Sequence, residues 1–302
     1  MANSKPKKTS NNKKSSNKTK AADSKNTEKV VVAEKKTVGN TNNNKKIFAG
    51  FFARKGDPNE TITTIFKSHK IWGALIGELV GTMLLMMVLL TLGVQPLYMI
   101  FATIGVTIAV VGLSGANLNP LITAGMMATR RISAIRGVLY ILAQIVGAWL
   151  GMIIINAFRL GSGAEMDLPQ MDAITGDHFW AVTFVELLGA IVIGFVFARA
   201  LKFRKKSPVT FGLMVTSGVT MAIIFGIVVA QSYFQMSNAF IYNPAAALMY
   251  QVLPSTADSF GQLMGDICLA LTAYAIVPCI GGIAGFFLSD ASARLADENA
   301  EE

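Results

Sequence analysis

Ser114-Gly115-Ala116-Asn117-Leu118-Asn119-Pro120 and, further along the chain, Ala239-Phe240-Ile241-Tyr242-Asn243-Pro244-Ala245 decide the fold. In each, an irregular run ends at Asn-Pro and a short apolar run follows. Asparagine is a strong helix N-cap because its side-chain oxygen accepts from a backbone N–H of the first turn. Proline suits the first helical position, where its missing N–H would have had no partner anyway. Both motifs therefore open short helices. The first ends at Arg130 and Arg131 and the second stops before Pro254. At about ten residues, neither can cross ~30 Å of hydrocarbon. Irregular backbone beside so short a helix is tolerated at membrane depth only where it is buried in protein or lines a wet cavity.

The surroundings of the two motifs are those of a membrane protein. Of 302 residues 52% are hydrophobic, too many for a soluble domain of this size. They cluster into six stretches, 71–94, 97–113, 135–158, 179–201, 209–230 and 262–288, each close to the length a spanning helix needs. The net charge of +9 is uneven: residues 1–46 hold 13 lysines against Asp23, Glu28 and Glu34. With almost no large apolar side chain before Ile47, that segment cannot offset the entropy of ordering. Residues 1–70 are thus expected to be a disordered basic tail, with a short surface helix within 59–70. Three roles for the tail stay open: a solvated extension that sets orientation, contact with anionic lipid, or contact with a polyanion. Nucleic acid is not expected as a partner.

Loop charges alternate as the positive-inside rule requires. Arg130, Arg131 and Arg136 lie between spans two and three, and Lys202, Arg204, Lys205 and Lys206 between spans four and five. The opposite side receives 161–178, with Glu165, Asp167, Asp172 and Asp177 and neither lysine nor arginine. Both termini, including an acidic tail at 290–302, are then expected in the cytoplasm. Trp72 and Trp180 start spans one and four, where an interfacial ring is at home.

The two halves of the chain also match each other. Gly77-Glu78-Leu79-Val80-Gly81 pairs with Val185-Glu186-Leu187-Leu188-Gly189, the Asn-Pro motifs pair, and Ala143-Gln144-Ile145-Val146-Gly147 pairs with Gly261-Gln262-Leu263-Met264-Gly265, at separations of 108, 124 and 118 residues. Three spans per copy is an odd number, so the second copy, 179–288, enters upside down relative to the first, 71–158. Inverted repeats of this kind place their functional site near the midplane between the halves. The expected fold is an all-α integral membrane protein of six spans and two re-entrant half-helices.

Ser-Gly-Ala-Asn-Leu-Asn-Pro, Tyr-Asn-Pro-Ala, a glutamate in spans one and four, and Ala143-Gln144-x-x-Gly147-Ala148 resemble the signature of the aquaporin and glycerol-facilitator family of passive channels, over about 72–288. The resemblance implies that the half-helices meet end to end, with Asn119-Pro120-Leu121 and Asn243-Pro244-Ala245 at the centre of a pore. Glu78 and Glu186 would hold the backbone of the two re-entrant loops. It also implies a plasma-membrane, multi-pass homotetramer, each subunit enclosing its own path for a small neutral permeant. Two positions depart from the pattern: Leu121 replaces an alanine, and Ala246 stands where the family's filter arginine is usual. The remaining filter positions fall near Met99 or Phe101, Gln231 and Phe240.

Water, glycerol or another small uncharged solute is the expected permeant, in a filter wider than that of a water-only pore. An ion-conducting or gated channel, motivated by Ala246, and a non-conducting scaffold on the same fold remain alternatives. No catalysis, cofactor or metal is expected. His69 and His178 flank spans, and Cys268 and Cys279, about 16 Å apart along one predicted helix, lack metal-ligand spacing.

Overall fold

A computed structural model describes residues 62–92, 95–163, 178–236, 240–252 and 259–300. Most of the basic tail, the acidic connection at 164–177 and the last two residues lie outside this range, and so do the roles weighed for the tail. Among the described residues every regular element is helical.

Helix α1, Ile62–Lys67, is the short surface helix expected before the first span. It is tied to α2, His69–Leu92, by the Trp72 indole, whose Nε1–H donates to the Phe66 carbonyl at 3.3 Å. The spans that follow start where the sequence supplies caps. Ser133 caps α5, Ala134–Ser162, by accepting from Arg136 N. Ser207 caps α7, Pro208–Phe234, by accepting from Thr210 N, with proline in the first turn. Span four, α6, is Phe179–Ala200. Span two, α3, begins on a proline and runs only Pro96–Val110, 15 residues. It rises about 22 Å. Among the described residues five helices, not six, are therefore long and apolar enough to cross by length alone, because the chain leaves α3 for the turns of 111–114.

The half-helices are α4, Pro120–Ala128, and α8, Pro244–Ala247, which widens into a π-helical turn at Leu248–Val252. The last span is likewise interrupted: α9, Phe260–Leu271, a π-helical turn at Thr272–Ile276, then α10, Val277–Ala300. Pro278 explains the second interruption. It has no N–H for the carbonyl four residues back, at Tyr274, so the ladder loosens there.

The packing has the symmetry of a duplicated unit. Helix α2 lies along α5 as α6 lies along α10, α3 lies along α7, α4 packs on α10 and α8 on α5. In the first pair, Gly147 and Gly151 press against the carbonyls of Leu79 and Met83. In the second, Gly281 and Gly285 press against those of Leu187 and Ile191. Leu79 matches Leu187 and Met83 matches Ile191 at the 108-residue separation, so the partner of Gly147 is Gly281. This corrects the expected pairing of 143–147 with 261–265. Gln262 is exposed and nothing stands within 4 Å of where a Cβ on Gly265 would be. The likeness of those five residues is local, and the true partner lies beyond the π-helical turn. Large side chains that face outward, such as Leu142, Val146, Trp149 and Ile153 of α5, present an apolar surface suited to lipid.

Candidate functional site

The tips of α4 and α8 meet. Asn119 caps its own helix, Oδ1 accepting from Leu121 N at 3.0 Å, and its Nδ2 donates to the Tyr242 carbonyl at 2.7 Å. Asn243 mirrors it: Oδ1 accepts from Ala245 N at 3.1 Å and Nδ2 donates to the Leu118 carbonyl at 3.2 Å. Each asparagine therefore fastens the residue just before the other. Pro120, Leu121, Pro244 and Ala245 are buried at this junction. Leucine in place of the expected alanine at 121 is accommodated by Gly282 of α10. A Cβ there would stand 2.5 Å from the Leu121 carbonyl oxygen and 3.1 Å from its Cδ1.

Presenting those two carbonyls requires an unusual backbone. Leu118 and Tyr242 have φ of 56° and 53°, and Ala116 has 54°, a left-handed conformation that costs a residue bearing Cβ roughly 1–3 kcal/mol. Two buried carboxylates hold it. Glu78 accepts from Asn117 N (Oε1, 3.0 Å), Leu118 N (Oε2, 2.6 Å) and Gln144 Nε2 (Oε2, 2.7 Å). Gln144 also donates to Thr123 Oγ1 at 3.0 Å, which ties α5 and α4 into the same network. On the other side, Glu186 Oε1 accepts from Ile241 N at 2.6 Å and Tyr242 N at 3.1 Å. Both glutamates are fully buried. Small residues make room for the strained side chains. A Cβ on Gly81 would collide with Leu118, and one on Gly189 or Gly226 with the Tyr242 ring or hydroxyl.

Beside the junction lies a cavity of about 80 Å³ open to water-sized molecules, above the minimum needed to hold one. Asn119 and Asn243 line it with the turns at 116–118 and 241–242. The rest of the wall is Thr82, Thr103 and Thr107 among apolar side chains from α2, α3, α6 and α7, including Met86, Met99, Ile193 and Val219. No charged side chain lines it among the described residues.

The expected filter positions separate. Met99 and Ala246 are on the cavity wall. Phe101 is not: it is 68% exposed on the outer face of α3, two residues and hence about 200° around the helix from Met99. Gln231 is exposed near the end of α7. Phe240 is buried behind the wall, its ring stacked on Tyr242 with centroids 5.0 Å apart. The threonines were missed by sequence reasoning. Thr103 and Thr107 lie one turn apart on one face of an apolar span, and that spacing was the available signal.

The chain matches the family described as Major intrinsic protein over residues 65–289. It is 28% identical to aquaporin-1 of Rattus norvegicus over 166 residues, covering 52% of this chain and 61% of that one, so the match spans less than two thirds of the relative. With aquaporin-1 of Homo sapiens it shares 26% over 231 residues, 68% of this chain and 85% of the other. The fold also matches the aquaglyceroporin from Plasmodium falciparum, with a TM-score of 0.54 at 19% identity, covering 73% of this chain and 96% of that one. Inverted packing, paired Asn-Pro caps and glutamate-held loops agree with that likeness, and the chain belongs to the major intrinsic protein family.

Proposed function

We propose that the protein is a passive transmembrane pore for water and small uncharged solutes, with the Asn119–Asn243 junction as its centre. The reciprocal bonds between Asn119 and Tyr242 O and between Asn243 and Leu118 O carry the reading. Each side-chain amide has two N–H groups and spends one on a carbonyl, which leaves one for a molecule in the cavity. The positive ends of two short helices point at the same place and disfavour a cation there. A permeant that passes must be polar enough to use the amides and small enough for an otherwise apolar wall.

Ala246 sets the solute range. A fixed cation about 5 Å from the path would oppose a passing positive charge by roughly 3 kcal/mol at an effective dielectric of 20. A methyl group on the wall gives width instead, which favours admission of glycerol or urea alongside water. The same feature motivates a second reading, an ion leak, and planar-bilayer current separates the two because a neutral-solute pore is electrically silent. The basic end, with Lys70, Arg136, Arg204 and Lys205 around its mouth, is assigned to the cytoplasm of a plasma-membrane protein. Family membership supports a homotetramer, which native mass spectrometry checks.

Stopped-flow light scattering on proteoliposomes, with water, glycerol and urea gradients, tests the proposal alongside Asn243→Asp. That substitution replaces an amide donor with a carboxylate facing the Leu118 carbonyl, and water permeability is expected to fall toward that of empty vesicles. A variant as fast as the unaltered chain would sink the central role of the junction. Glycerol swelling no faster than in protein-free vesicles would remove the solute claim.

A further inference from the structure

At the basic end a second cavity, about 710 Å³, opens between α2, the end of α3, the 112–115 turns, α5 and the 204–208 segment. Its size is that of a small-molecule site. Lys70, Arg136, Arg204 and Lys205 stand on its wall, and among the described residues no acidic side chain does. Lys70 and Lys205 are exposed at the rim, while Arg136 and Arg204 are half-buried. Gly115, at φ 90°, lets the Arg204 guanidinium lie over the turn: a Cβ there would stand 2.7 Å from Nη1. Burial pulls the Arg204 guanidinium below its ordinary pKa, against the opposing pull of Tyr140 and of buried Glu78 behind the turn. Tyr140 bridges the back wall, bonding Arg136 and donating to the Ser114 carbonyl at 3.3 Å.

Four cationic side chains around one open space repel one another, and an anion among them relieves that repulsion. Guanidinium groups fit phosphate oxygens through paired N–H bonds, while lysines add charge without demanding geometry. We propose that this vestibule binds a phosphate-bearing anion, a phosphorylated lipid headgroup or a soluble phosphoester of the same chemistry, and that its occupancy slows passage through the pore. The coupling is structural. The run 112–118 lines both spaces, with Gly112, Leu113, Ser114 and Gly115 on the vestibule and Ala116, Asn117 and Leu118 on the central cavity. An anion held between Arg204 and Arg136 stands at the mouth of the path and against the turn that shapes it.

Binding is measured first on the full chain, by calorimetry with inositol hexakisphosphate and by native mass spectrometry with phosphatidylinositol bisphosphate. Saturable binding of either probe is expected, about tenfold weaker in Arg136→Gln/Lys205→Gln. Lys70→Gln/Lys205→Gln, confined to exposed side chains, is expected to weaken it in the same direction and covers the case in which the first variant does not fold. The lysine-rich N-terminal segment can bind either probe without the vestibule, so binding unchanged in both variants, or absent altogether, overturns the proposal. Water permeability is then compared in phosphatidylcholine vesicles with the soluble probe on both faces, with the lipid added, and with neither. A drop with one probe identifies the source. Binding with no drop in any arm overturns the control of passage while leaving the pore itself untouched, since basal permeability is read separately.

Discussion

Glu78 and Glu186 perform one task with different economy, and a single substitution separates them. Glu78 uses both oxygens on different donors, Asn117 N on one and Leu118 N and Gln144 Nε2 on the other. Glutamine there must turn an NH₂ toward a donor whichever way it sits, and Glu78→Gln is expected to cost about 1–3 kcal/mol. Glu186 takes both backbone N–H groups on Oε1, with Tyr242 N shared with Oε2 at 3.2 Å, so Glu186→Gln can keep both on one carbonyl oxygen, gives up only the shared contact and is expected to lose less. Thermal unfolding in detergent that ranks the two the other way would refute this. The Tyr242 hydroxyl is buried without a partner among the described residues, so Tyr242→Phe is expected to leave the melting temperature unchanged or raise it. The sequence disclosed the asparagines and glutamates because a polar residue in an apolar span needs a reason. Phe101, Gln231 and Phe240, expected at the filter, stand off the cavity wall, because counting along irregular loops does not fix the phase of a helix, and a shift of two residues carries a side chain from the wall to the outer face.

Between elements, the ends of α4 and α10 are latched at the basic face. Arg131, after α4, forms a forked pair with Asp290 on α10, Nη2 to Oδ1 at 2.7 Å and Nη1 to Oδ2 at 3.3 Å, and its guanidinium lies 5.3 Å from the Phe286 ring centroid. The side chains are only 15% and 8% exposed. Removing either partner takes the forked hydrogen bonds away from a largely buried charge, so Arg131→Ala or Asp290→Ala is expected to destabilise by about 1–3 kcal/mol. The double variant should lose less than the sum, and a chemical-denaturation cycle showing simple additivity would deny the coupling. The inverted repeat itself was legible from the Asn-Pro pair and the two glutamates. Its third match was misplaced because glycines that pack helices recur often, and a π-helical turn shifts register without any mark in the sequence except Pro278.

For the whole molecule, the character of the path rests on a wall with no charged side chain among the described residues. Ala246→Arg is expected to suppress glycerol flux more than water flux, because the long side chain narrows the cavity where Ala246 now lines it. Proteoliposome swelling in glycerol that is equal for the two proteins would contradict a filter at that position. Six spans were readable as apolar length, but the 15 residues of α3 beside the 27 of its counterpart α7 were not, since both stretches are followed by further apolar residues. The turns of 111–115 make up part of the difference, with Ser114 N on the Val110 carbonyl and Gly115 N on that of Val111. What is left is a flank somewhat shorter than its counterpart. Hydrocarbon mismatch costs a fraction of a kcal/mol for each ångström, so a slightly thinner bilayer is the better match for that side of the molecule.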